Sequence, residues 1–176
     1  MGRPRGFDEA EVVRSAAELF STRSFDGIGM DELVSHLGVH RNSLYKTFGS
    51  KRGLYQAALR WALEHDVAPL IERVAGTGDL GEALRLAVAD PGAEVGLNLL
   101  LLAAVERAPV DQEVAEQLAG VLAAFDQAAG TASRGELGLA LTATILGLRL
   151  RARSGAAPMD IDQAGAALAR RLDQYA

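Results

Sequence analysis

The sequence predicts an all-α protein of about nine helices, in which a three-helix head built on a helix-turn-helix is joined by a long helix to a helical body. Three observations predict it. Alanine and leucine dominate a chain that is 49% hydrophobic but only 5% aromatic; Ala and Leu favour helices, whereas strands draw on branched and aromatic residues. Apolar residues recur at helical spacing behind residues that cap helix starts, such as Asp8 with Glu11 and Asp79 with Glu82. No stretch alternates polar and apolar residues as a half-buried strand does, and there is no internal repeat or low-complexity tract.

Taken in order, Asp8 caps a first helix whose buried stripe is Val12, Val13, Ala16, Ala17, Leu19 and Phe20. Residues 24–27 connect it to a short helix carrying Met30, Leu33, Val34 and Leu37 on one face. Gly38 supplies the left-handed position that ends a helix at little cost. Val39 is an apolar anchor, and a second short helix turns Leu44 and Phe48 inward. Ser50 caps a long helix from Lys51 to about residue 74, with a kink or break expected at Pro69. Asp79 opens a helix to about residue 89, and Asp90-Pro91-Gly92 breaks the chain. Residues 93–107 form a strongly apolar helix, stopped by Ala108-Pro109; Asp111 caps the next, to about residue 129. A loop at 130–135 precedes a mostly apolar helix over 137–153, where Gly138 and Gly147 are small enough for close approach. Asp160 caps the last helix, with Ile161, Ala164, Leu168, Leu172 and Tyr175 on one stripe.

Helix, glycine turn and short helix with a polar outer face is the pattern that places a recognition helix in the DNA major groove. Charge agrees with it. From residue 33 to 63 there is no Asp or Glu, while Arg41, Lys46, Lys51, Arg52 and Arg60 all fall in that window. Residues 1–61 hold nine Lys/Arg against seven Asp/Glu, and residues 62–176 hold nine against sixteen, within a net charge of −5. A weakly basic head on an acidic body suits a protein that meets nucleic acid at one end only. The start of the recognition helix, His40, Arg41, Asn42 and Ser43, comes nearest the base edges; Arg pairs with guanine and Asn with adenine. Arg3 and Arg5 flank Pro4 in a basic arm that can lie along phosphates or enter a narrow minor groove.

Other chemistries find little support. The absence of cysteine rules out a disulfide framework and thiol chemistry. His36 and His40 are four apart, but Gly38 between them separates their faces, so no metal is expected. No nucleophile elbow or phosphate loop is present, and neither a cofactor nor catalysis is expected. The start lacks an apolar secretory core, and the longest apolar runs, near 95–105 and 137–148, fall short of the about 20 residues that a membrane span requires. A cytoplasmic protein without a membrane partner is expected.

Residues 3–61 resemble the DNA-binding domain of the tetracycline-repressor-like (TetR) family. The likeness is carried by Gly2-Arg3-Pro4-Arg5, Ala16-Ala17-Glu18-Leu19-Phe20, Phe25-Asp26-Gly27, Met30-Asp31-Glu32-Leu33, Leu37-Gly38-Val39, Ser43-Leu44-Tyr45-Lys46-Thr47-Phe48, Lys51 and Leu54-Tyr55. The resemblance, with the charge pattern, implies phosphate contacts for Tyr45, Lys46 and Lys51. It implies a DNA-binding domain at residues 1–50, and a regulatory and dimerisation domain at 51–176 with a cavity for a small-molecule effector. Trp61, His65, Asn98, Glu106, Phe125 and Arg149 are candidates for that cavity, being large or polar in apolar surroundings. The function implied is that of a sequence-specific transcriptional regulator, a repressor released from its operator by ligand. One recognition helix reads too few base pairs to be selective, so a homodimer on a palindromic double-stranded operator is expected. Its interface is assigned to a four-helix bundle formed by the last two helices, with Leu141, Leu148, Ile161, Leu168 and Leu172 central. Ser24 and Gly29 depart from the family's usual glycine and hydroxyl residue. They leave open an all-helical dimeric interaction module that has lost operator binding.

Overall fold

A carboxylate caps the first helix: Asp8 accepts the N–H groups of Ala10 (2.9 Å) and Glu11 (3.5 Å) and starts α1 (Glu9–Phe20), whose expected stripe is buried throughout. The computed structural model describes residues 7–132 and 137–173. Then come α2 (Met30–Leu37), α3 (Arg41–Phe48) and α4 (Lys51–Ala62), which runs through one π turn (Leu63–Val67) into α5 (Ala68–Gly76). They are followed by α6 (Leu80–Ala89), a 3-10 turn at Pro91–Ala93, and α7 (Glu94–Leu102), which ends in a second π turn (Ala103–Arg107). The last three are α8 (Gln112–Ala132), α9 (Gly138–Arg153) and α10 (Pro158–Asp173). With α4 and α5 taken as one continuous helix, there are nine helices and no strand among the described residues.

Several ends differ from the sequence expectation for local reasons. Pro69 does not break its helix; it sits in the first turn of α5, directly after the π turn. Proline lacks an N–H and its ring collides with the carbonyl four residues back, and the wider turn relieves both demands. The last helix starts at Pro158 rather than behind Asp160, because proline is pre-organised for a first turn. Helix α8 runs on to Ala132, and the remainder of the expected loop lies outside the described residues. Gly138 allows the expected close approach: a Cβ there would stand 2.2 Å from the Asp126 carbonyl oxygen. Gly147 does not, since its Cβ would meet open space on the outward side of α9.

The chain forms two compact units. The first comprises the chain up to Asp66 and Val95–Ala115. In it α1 packs on α4, and Phe20, Ile28, Leu33, Leu44, Leu54, Tyr55 and Leu59 fill the centre of the head. Phe48, expected in that core, is only half-buried. The second comprises Val67–Glu94 and the chain from Glu116 onward, with α5, α9 and α10 all packed on α6. Helix α9 is apolar on nearly every side. Leu141, Thr142 and Ile145 face the core, whereas Leu139 is 73% exposed and Leu150 is 54% exposed. Leu141, expected at a dimer interface, is only 2% exposed and is part of its own unit's core. Leu148 and Leu168 are half-buried, and the side chains of Ile161 and Leu172 lie outside the described residues.

Candidate nucleic-acid interface

Gly38 makes the head's turn. Its φ of 64° and ψ of 24° end α2, and three residues later α3 begins. A side chain in that left-handed conformation is strained, so glycine lets the two helices meet at a short corner. His40 takes the cap position of α3 through its backbone: its carbonyl accepts the N–H groups of Ser43 (2.9 Å) and Leu44 (3.2 Å). Gly29 caps α2 without a side-chain bond, as its lack of a hydroxyl dictates. Ser24 turns the preceding connection, its hydroxyl oxygen accepting the Gly27 N–H at 3.1 Å. Neither family departure therefore unmakes the head.

Leu44 is buried, and this fixes the rotation of α3. His40, Arg41, Asn42, Tyr45 and Lys46 are exposed as a result, with Ser43 half-buried beside them. Tyr45 keeps 42% of its surface free, though it sits on a helix packed against the head's core. The face is thus assembled as the sequence predicts. Arg3 and Arg5 lie outside the described residues.

Two cations are engaged within the protein. The Arg41 guanidinium pairs with the Asp31 carboxylate from the first turn of α2. The Lys51 ammonium donates to the Phe25 carbonyl and lies 4.2 Å from the centre of the Phe25 ring. Burial lowers the Lys51 pKa, and Asp26 works against that shift. Ser50 caps α4 as expected, accepting the Gly53 N–H at 3.0 Å. A phosphate at this helix start would share Lys51 with Phe25.

Phe25 is held from several sides. Its N–H donates to Glu106 at 3.1 Å, the Arg107 guanidinium lies 4.5 Å over its ring, and Phe20 and Tyr55 complete an aromatic cluster. Burial pushes the Tyr55 phenol far above its ordinary pKa. Nearby, Arg52 clamps Asp111 through two bonds of 2.7 and 2.8 Å, and Arg107 adds a longer one of 3.4 Å. Glu106, expected to line an effector cavity, is therefore committed to the α1–α2 connection. Of the other cavity candidates, Trp61 and His65 stack with ring centres 4.7 Å apart in the first unit, where Asn98 is half-buried. Phe125 is fully buried in the second unit's core. Arg149, also in the second unit, donates to the Asp90 carbonyl at 3.3 Å, and its Nε is buried without a partner. Burial lowers its pKa, with Glu94 opposing.

Sequence reasoning missed the roles of Asp31, Glu106 and Asp111. The last two act on residues 81 and 59 positions away, which no local pattern signals. Asp31 could have been found, because it and Arg41 flank the glycine corner.

Residues 12–58 match the family model described as bacterial regulatory proteins, tetR family. Among curated proteins, the HTH-type transcriptional regulator YezE of Bacillus subtilis is 36% identical over 122 residues, covering 65% of this chain and 62% of that one. The HTH-type transcriptional repressor BdcR of Escherichia coli is 34% identical over 83 residues, or 47% and 42% of the two chains. The chain thus spans less than two thirds of the length of either relative. Among solved structures, the TetR family regulator CifR, in a cysteine mutant complexed with 26-bp operator DNA, superposes with a TM-score of 0.75 at 23% identity, over 97% of both chains. At that identity the likeness is one of fold. No single helix among the described residues is long and apolar enough to cross a membrane. With its glycine corner and exposed outer face, the head at residues 12–58 is a helix-turn-helix domain of the tetR family of bacterial regulatory proteins.

Proposed function

We propose that the protein is a cytoplasmic, sequence-specific transcriptional regulator rather than an enzyme. It binds a palindromic double-stranded operator as a homodimer and is released by a small-molecule effector. The observation that carries this is the outward face of α3, where Arg41, Asn42, Tyr45 and Lys46 are all exposed behind a left-handed glycine. The reader occupies residues 1–50, and regulation and dimerisation belong to 51–176. Arg41 reads a base, Asn42 and Ser43 lie beside it, and Tyr45, Lys46 and Lys51 meet phosphates, with Arg3 and Arg5 as an added arm.

The dimer forms through α9 and α10. The outward stripe of α9, Leu139, Ala143, Leu146 and Leu150, supports this, as does Met159 of α10, which is 67% exposed. Two such pairs make a four-helix bundle and set two heads one DNA turn apart. Ligand then biases an equilibrium between head spacings.

The test is selection of an operator from random duplexes, followed by titration at two salt concentrations. Tight, salt-sensitive and sequence-dependent binding is expected. Arg41→Ala is expected to cost about 1–3 kcal/mol on the selected site and to relax preference at one base pair. An equal loss on every duplex would remove Arg41 from base reading, and no binding at low salt would favour an interaction module.

A further inference from the structure

We propose that Asp31 is a specificity-determining residue of the DNA interface, acting as an internal competitor for Arg41. The inference rests on the DNA-reading role of α3. Asp31 lies in the first turn of α2, and Arg41 is the first residue of α3. The corner at Gly38 brings them together across ten positions, and the Arg41 Nη2 donates to the Asp31 Oδ1. The Asp31 side chain is otherwise 98% exposed, and the arginine 47%. The carboxylate therefore supports no core and touches little but the guanidinium.

The rest of the head's charge makes this pairing consequential. Arg23 is paired with Glu32, the neighbour of Asp31, and Arg14 with Glu18. Lys51 is engaged with Phe25, and Arg52 with Asp111. Lys46 stands without a carboxylate partner among the described residues, so the outer face of α3 has one unopposed cation beside a paired arginine. Any duplex that recruits Arg41 must draw it from Asp31 or accept a carboxylate next to its own phosphates.

The two kinds of duplex differ in what they return. Non-cognate DNA offers the guanidinium a phosphate, one anion in place of another, in water and under screening salt. A guanine in register offers two acceptors matched to the planar fork. The pair with Asp31 therefore persists on non-cognate DNA, whereas the operator draws the guanidinium away and forfeits that pair. Asp31 thereby weakens operator binding more than non-specific binding and narrows the ratio between them, which is what sets selectivity in a genome.

The test uses Asp31→Asn, which keeps shape and removes charge, with the full chain and a selected operator alongside a scrambled duplex of equal length. Binding is followed by fluorescence anisotropy, and thermal melts compare the folds. Asp31→Asn is expected to melt as the parent does and to bind the operator about fivefold more tightly, the scale of one close exposed charge pair. Affinity for the scrambled duplex should change by less than about twofold, so selectivity rises. In an Arg41→Ala background the same substitution should leave selectivity unaltered. If it tightens both duplexes equally, or if the gain of selectivity persists without Arg41, the carboxylate acts only as a bulk charge and the inference is overturned. If the parent chain selects no operator at all, the DNA-reading role itself fails, an outcome separate from an unaltered ratio in a chain that does select one.

Discussion

A chain carrying Leu150→Arg is expected to fold as the parent does and to sediment as a monomer. Leu150 is 54% exposed on α9, so the arginine can extend into water, and its helix propensity is close to that of leucine. The cost to the isolated fold should stay within about 0.5 kcal/mol, as for surface substitutions in general. In a two-fold bundle that covers this stripe, the same side chain is buried on both subunits. It also joins Arg151 and Arg153, which already gather positive charge at this helix end. A buried, unpaired cation replaces an apolar contact on both subunits, and that is strongly unfavourable. Loss of the second head should weaken operator binding by about 10²–10⁴-fold, since the second half-site is no longer reached intramolecularly. Analytical ultracentrifugation and an operator titration measure the two effects. Leu141→Arg provides the contrast: with 2% exposure it should unfold the chain rather than split a dimer. A Leu150→Arg protein that stays dimeric would move the interface to another face.

Asp111→Ala should give the largest loss of stability from one polar residue. Asp111 is 4% exposed, and it accepts two bonds from Arg52, one from Arg107 and the Val114 N–H at the start of α8. Truncation removes the helix cap and leaves Arg107, whose Nε already lacks a partner, further short of acceptors. Charged hydrogen bonds and a cap together make about 2–4 kcal/mol. For a chain of this length that lowers the melting temperature by about 5–15 °C. The dependence on pH follows from the same contacts. The hydrogen bonds from Arg52, opposed by burial and aided by the Val114 N–H, hold the carboxyl at about 2, below its ordinary 3.8. Between those values the unfolded chain binds the proton more readily, so stability conferred by Asp111 is complete above about pH 5 and is lost as pH falls towards 2. The parent should therefore lose stability over that acid range more steeply than Asp111→Ala. Thermal melts at pH 7, 4 and 3 give the comparison. Parallel curves for the two proteins would show that Asp111 is not the acid-labile group.

Sequence alone determined the elements and the outward face of the head. Gly38 could only turn the chain, Leu44 could only point inward, and Arg41, Asn42, Tyr45 and Lys46 followed from helical geometry. Such features are decided within a few residues, by caps, dihedral preferences and the 3.6-residue period. Tertiary structure decided the matters that depend on partners far along the chain: Glu106 holding Phe25, Asp111 holding Arg52, and which side of α9 is inside. On a helix that is apolar nearly all round, periodicity names no inner face. The close approach at Gly138 and the packing on α6 chose Leu141 for the core and left Leu139 and Leu150 outside.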